Sequence, residues 1–166
     1  YSGTIRATGL AASNTKSITY HLLGDLLGFP VKVINGYPGS GDMRLALQRG
    51  EADYNMETLS GFFSGIVPIL GQDFVAIMQT GTPDGKGGYA GDPRIEQFRL
   101  PTMFDVVEKK LGAGVWNTPK GKALQVVADA YEVIRTMNAP PNTDPAALEA
   151  LKKGVKEMLE SKTFHD

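Results

Sequence analysis

Residues 31–53 read VKVINGYPGSGDMRLALQRGEAD, and the order of signals in them decides the fold. Val31 to Ile34 is a short apolar, β-branched run, which reads as a strand. Asn35 to Gly41 follows as a turn-rich loop with glycines at 36, 39 and 41 and a proline at 38. Asp42 to Arg49 is then a compact helix. Its acid lies at the start, its base at the end and Gly50 beyond, so charge and cap agree with the macrodipole. Ala52 to Met56 reads as another strand. Strands alternating with helices over short connections form parallel β-α-β units in an α/β sheet.

The pattern extends in both directions. Thr4 to Thr8 is a plausible strand, Gly9 to Ala12 is a loop of small residues, and Ser13, Asn14 and Thr15 are successive N-cap candidates. Ile18, Leu22 and Leu26, with Leu23 and Leu27 beside them, give a helical apolar face that Gly28 closes. Downstream, Glu57 to Leu70 is expected to hold a helix and Phe74 to Gln79 a fourth strand. Thr80 to Leu100, rich in Gly, Pro and Asp, reads as an irregular crossing. Pro101 suits the first turn of a helix through Leu111. Lys120 to Met137 reads as a long helix with Leu124, Val127, Tyr131 and Ile134 on one face. Ala139 to Thr143 breaks it, and Pro145 opens a last helix through Leu148, Leu151, Val155 and Met158. The expectation is an α/β fold, a parallel-rich sheet flanked by helices, with a helical C-terminal segment.

Composition narrows the function. Lys plus Arg is 17 and Asp plus Glu is 18, a net charge of −1, which gives no electrostatic reason to seek nucleic acid or a membrane surface. Lys109–Lys110 and Lys152–Lys153 fall in helices beside acids and read as solvated faces. With no cysteine there is no disulfide, thiolate nucleophile or cysteine metal site, a composition that suits an exported bacterial protein. The apolar run from Phe62 to Leu70 is too short to span a bilayer. The chain opens at Tyr1, without Met, almost directly on a strand, which reads as a processed or excised segment.

In open α/β sheets, ligands bind at the carboxyl ends of strands, beside the loops that lead into helices. The first such loop is Thr8 to Thr15. Its small residues let a ligand approach the backbone, and the free N–H groups of the helix start, with the hydroxyls of Ser13 and Thr15, form an anion cradle. Lys16 in the first turn opposes the macrodipole by roughly 0.3–1 kcal/mol, a penalty that a bound carboxylate offsets. Ordinary capping with an exposed lysine is the alternative. The second loop is Asn35 to Asp42, where glycines allow close approach and Tyr37 either walls a pocket or packs as core. Asp42 reads as a cap, because its carboxylate would compete with an anion for the same N–H groups.

Enzyme motifs are weak. Gly36 to Gly41 lacks the lysine and Ser/Thr of a phosphate loop, Gly81 to Lys86 is one residue short of one, and Gly85 to Ala90 has no helix after it. With only two histidines, His21 and His165, the sequence offers no metal pair or catalytic triad. Glu51, Asp53 and Glu57 would share one face of a strand, with nothing to raise them above solvated or capping acids. The residues favour binding over catalysis, with a nucleotide- or phosphate-handling α/β enzyme as the alternative.

Val33-Ile34-Asn35-Gly36-Tyr37-Pro38-Gly39-Ser40, followed by Ala46-Leu47-Gln48-Arg49-Gly50-Glu51-Ala52-Asp53, resembles the substrate-binding proteins of tripartite tricarboxylate transporters, the TctC or Bug family. The shared elements are a Gly-Tyr-x-Gly loop, a helix, and a Gly-Glu-x-Asp turn into the next strand. Gly9 to Ser13 is similar to the family's anion-binding loop, with Leu10, Ala11 and Ala12 where a second glycine is usual. Pro101-Thr102-Met103 and Ala139 to Pro145 look like two further family segments, Asn142 standing for a glycine. The resemblance implies a periplasmic-binding-protein type II-like lobe over residues 1–100. It also implies a helical return segment over 101–166 toward a first lobe whose N-terminal part is missing. By the same resemblance the chain is periplasmic, uses no cofactor, captures a small carboxylate and delivers it to a membrane permease. A sensor module derived from a binding protein is a further alternative. The ligand-facing positions carried over are Gly9, Ser13, Asn14, Thr15, Tyr37, Gly39, Ser40 and Glu57, the last facing a ligand amine.

Overall fold

The structure, a computed structural model, describes residues 3–132 and 137–165. Strand β1 (Ile5–Thr8) leads into helix α1 (Thr15–Leu27), and the chain returns as β2 (Val31–Ile34). The two strands pair in parallel, Ile5 opposite Val31 through Thr8 opposite Ile34, so the first β-α-β unit is as its sequence reads. Of the three cap candidates, Asn14 closes the N-terminus of α1, its side chain accepting from Lys16 N, and Gly28 ends the helix at φ 76° in the left-handed region. Helix α2 (Ser40–Gln48) starts two residues earlier than expected. Gly39 holds its N-cap position without a side-chain bond, so Asp42 lies in the first turn rather than capping it.

The expected parallel-rich sheet is reduced to this pair. Ala52 to Met56 is not a strand; it touches β1 through one parallel bridge, Ala7 to Tyr54. Phe74 to Gln79 is likewise no strand; among the described residues its backbone forms bridges only at its two ends, Leu70 to Phe74 and Gln79 to Thr102. Glu57 to Leu70 is not one helix. A short helix α3 (Leu59–Gly61) runs into a π turn, Phe62–Ile66, and then a 3-10 turn, Val67–Ile69, where Pro68 withholds an N–H from any continuing helix. Thr80 to Leu100 holds a small antiparallel hairpin, β3 (Thr82–Pro83) with β4 (Tyr89–Ala90), and a 3-10 turn at Pro93–Phe98.

Helix α4 (Met103–Leu111) begins after Pro101, not on it, because Thr102 and Asp105 form a capping box. Asp105 N donates to Thr102 Oγ1 at 3.0 Å, and Thr102 N donates to Asp105 Oδ2 at 2.8 Å. Thr102→Ala is expected to cost about 1 kcal/mol in urea unfolding, and Thr102→Ser to restore most of it. Equal stability of the alanine variant and the parent would refute the capping role. A 3-10 turn (Ala113–Asn117) leads into α5 (Pro119–Glu132). The expected long helix is described as far as Glu132; residues 133–136, Ile134 among them, lie outside the described residues, and Met137 is in irregular chain.

Helices α4 and α5 pack on α1, and that packing is the core. Leu23, Leu27, Met103, Phe104, Val107, Val115, Leu124 and Ala128 form one buried cluster. Tyr89 stacks on Phe104 with ring centroids 3.5 Å apart, and its hydroxyl donates to Asp129 at 2.6 Å. The first compact unit spans Tyr1–Val133. The second unit, Ile134–Asp166, contains α6 (Pro145–Glu160), capped by Asp144, and α7 (Lys162–His165). The architecture is mixed α/β with more helix than sheet. No helix among the described residues is long and apolar enough to cross a membrane.

Candidate functional site at the carboxyl ends of the strands

The two loops singled out by the sequence come together. Gly9 N donates to Ile34 O at 2.9 Å, Gly36 N to Leu10 O at 3.1 Å and Tyr37 N to Gly9 O at 3.4 Å, which zips the loop after β1 to the loop after β2. Ser17 Oγ lies 2.9 Å from Ala11 O and 3.2 Å from Asn35 Oδ1, fixing both loops to α1. Gly9 is buried, and a Cβ there would come within 2.4 Å of Asn35 Oδ1 and 2.8 Å of Ser17 Oγ. Its lack of a side chain serves this loop-to-loop contact.

The other expected positions are distributed around that seam. Ser13 is exposed, and Asn14 is spent on the cap of α1. Thr15 has its carbonyl bound by Thr19 Oγ1 at 2.8 Å. Tyr37, Gly39 and Ser40 are half-buried at the start of α2.

Glu57 belongs to a polar network that joins the end of β1, helices α1 and α2 and the segment after Tyr54. Asn55 Oδ1 accepts from Thr8 Oγ1 at 2.7 Å and from Lys16 Nζ at 3.2 Å. Asn55 Nδ2 donates to Glu57 Oε1 at 3.0 Å, and the same oxygen takes a 3.1 Å ion pair from Arg44 Nη1. The Glu57 side chain is only 6% exposed and that of Arg44 24%, so the pair is largely shielded from water. Glu57 Oε2 is buried and has no hydrogen-bond partner among the described residues. Burial holds the Lys16 ammonium below the usual lysine range, and the charge of Glu57 offsets part of that.

Two glycines one helical turn apart seat the pair. A Cβ on Gly61 would lie 2.6 Å from Glu57 Oε2, and one on Gly65 would lie 2.5 Å from Arg44 Cζ. The carboxylate and guanidinium therefore rest directly on the backbone of the Leu59–Ile66 segment. Formally the network holds two cations, Lys16 and Arg44, against one carboxylate, Glu57.

Two phenols, Tyr20 buried and Tyr54 half-buried, back this network. Tyr20 Oη accepts from Met56 N at 2.7 Å, and Tyr20 packs edge-on to Tyr54 at 5.2 Å. Burial pushes the Tyr54 hydroxyl up to about 12, so it stays neutral at physiological pH. Of the acids expected to share a strand face, Asp53 instead turns outward to Arg6, with Nη2 to Oδ1 at 2.6 Å, which holds its carboxyl below the usual range.

A cleft of about 440 Å³ opens beside the network, lined by residues of Asp53–Glu57 and of Asp73–Thr82. Among the described residues no group of three or more His, Asp or Glu side chains is placed to hold a metal ion.

Sequence reasoning reached Lys16 and Glu57 but missed Arg44, Asn55, Gly61 and Gly65. Asn55 was hidden inside Ala52–Met56, the run that reads as a strand. Arg44 was out of reach, because its role depends on how α2 meets the 57–66 segment. No protein-family model, curated protein or solved structure matches this chain.

Proposed function

We propose that this chain is a carboxylate-capturing lobe of a solute-binding protein of the tripartite tricarboxylate transporter type, carrying out no reaction itself. One observation carries the reading: Arg44 directly, and Lys16 through Asn55, share a single carboxylate, Glu57, at the carboxyl ends of parallel segments. Placing an excess cation in a partly desolvated site is costly, and a bound anion offsets that cost. The order β2, β1, Tyr54 with α1 crossing over supports a periplasmic-binding-protein type II-like lobe as the finer fold. In this reading a small carboxylate meets Lys16 and the N–H groups of the two zipped loops. A hydrogen-bond donor on the ligand is the complement of Glu57 Oε2. Delivery to a membrane permease from the periplasm completes the proposal.

Thermal unfolding with mono-, di- and tricarboxylates, amino acids and nucleotides tests it. A ligand at about a hundred times Kd is expected to stabilise by roughly 2.7 kcal/mol. Lys16→Gln is expected to remove most of that shift while leaving unliganded unfolding nearly unchanged. Stabilisation by nucleotides alone would favour a phosphate-handling enzyme and overturn the proposal.

A further inference from the structure

The charges around the two zipped loops limit what those loops can hold. Lys16 Nζ lies 3.7 Å from Met43 Sδ, so the ammonium reaches from α1 to the first turn of α2. That turn carries a carboxylate of its own, Asp42, which is exposed. A Cβ on Gly39 would stand 3.9 Å from Asp42 Oδ2, so this carboxylate sits beside the N-cap position of its own helix. There it already meets the partial positive charge of the helix start, and a second anion in the same place is repelled. The first turn of α1, by contrast, contains no acid. Glu57 is taken by Arg44, and Asp53 turns away to Arg6. Among the described residues Lys16 Nζ bonds to neutral atoms, Asn55 Oδ1 and Met43 Sδ. One positive charge is left for a ligand.

The rim of the same seam is apolar. Leu10 is 41% exposed, and Ala11 and Ala12 beside it are exposed as well. The bonds from Gly36 N to Leu10 O and from Tyr37 N to Gly9 O hold this stretch against the half-buried Tyr37. Ala11 is fixed in turn, its carbonyl accepting from Asn14 N at 3.1 Å and from Ser17 Oγ at 2.9 Å. Apolar side chains held in place beside a single charge form the usual lining of a small-molecule site, in which covering them contributes affinity and the charge fixes orientation.

We infer that the seam selects a monocarboxylate with an apolar body and discriminates against di- and tricarboxylates. The inference rests on carboxylate capture and names the ligand class within it. The carboxylate meets Lys16, and the body lies against Leu10, Ala12 and Tyr37. A second carboxylate on the same small molecule would stand near Asp42 with no cation left to meet it, and that repulsion is the source of the selectivity.

Dissociation constants for benzoate, acetate, succinate and citrate, measured by NMR titration at neutral pH and constant ionic strength, test it. Benzoate is expected to bind about tenfold more tightly than each of the other three. Leu10→Ser is expected to reduce the preference for benzoate over acetate about fivefold, through lost apolar contact. Asp42→Asn is expected to narrow the gap between benzoate and succinate about threefold, through lost repulsion. Succinate or citrate binding as tightly as benzoate would overturn the inference and leave carboxylate capture standing. So would a benzoate preference that Leu10→Ser leaves intact, or a gap to succinate that Asp42→Asn leaves unchanged. Binding of none of the four would overturn carboxylate capture together with the inference.

Discussion

Gly121→Ala is expected to destabilise the chain by about 3 kcal/mol, the upper range for forcing extra atoms into a packed site. A Cβ at Gly121 would lie 2.1 Å from Val115 O, 2.8 Å from Val115 C and 3.1 Å from Trp116 Cα, all backbone atoms. They cannot swing aside as a side chain would. The Val115 carbonyl is also held, accepting from Thr118 N at 3.0 Å and from Thr118 Oγ1 at 2.6 Å. An opposing effect exists, since alanine in a helix interior is favoured over glycine by roughly 1 kcal/mol. The clash wins because relieving it must move α5 away from a turn whose Val115 sits in the core with Leu124. Gly114→Ala provides the control: nothing lies within 4 Å of its Cβ position, and its effect is expected within about 0.5 kcal/mol. Urea unfolding followed by circular dichroism distinguishes the two, and equal stability of the variants would refute the close approach.

The second large effect is expected at Glu57. Removing one partner of a fully buried ion pair costs about 3–5 kcal/mol, because the other charge is stranded. Arg44 keeps 24% of its side-chain exposure, so water recovers part of that, and Glu57→Ala is expected to cost about 2 kcal/mol. Replacing both partners with apolar residues, Arg44→Met with Glu57→Leu, is expected to recover at least half of the loss, since the guanidinium is no longer stranded. A double variant less stable than either single one would contradict this. The same cycle bears on the site. The double variant retains Lys16 but loses the acceptor Glu57 Oε2, and its carboxylate binding is expected to change in selectivity as well as strength.

Local signals carried most of what could be read from the chain. β1, α1 and β2 were legible because boundaries are marked by residues with a local mechanism: Asn14 caps α1 and Gly28 closes it at positive φ; its inner face was read partly wrong, since Leu23 and Leu27 are buried with Tyr20 while Ile18 is exposed. Ala52 to Met56 and Phe74 to Gln79 failed as strands for the complementary reason. Strand propensity reports a segment with alternating burial, and Val75 to Met78 has that alternation. Pairing is non-local and cannot be read from the segment itself. The Glu57–Leu70 helix broke up for a tertiary reason as well as at Pro68, since Arg44 and Glu57 press on the backbone at Gly65 and Gly61.

The candidate site divides along the same line. That it lies where strands run into helices was legible from topology alone. The loops contribute backbone and caps, while the side chains that set its charge come from α1, α2 and the segment after Tyr54. Lys16 stood out in the sequence because a cation opposes the dipole of the helix it starts. Its partner Asn55 lies 39 residues away and Arg44 reaches the network from another helix, distances over which no periodic pattern connects them.

The most direct test of carboxylate capture is a backbone-amide NMR titration of the chain with a panel of small mono-, di- and tricarboxylates. The expected result is saturable shift changes confined to Gly9–Lys16, Gly36–Ser40 and Asn55–Glu57, abolished by Lys16→Gln. Shift changes that scatter over the surface without saturating, or that persist unchanged in Lys16→Gln, would contradict it.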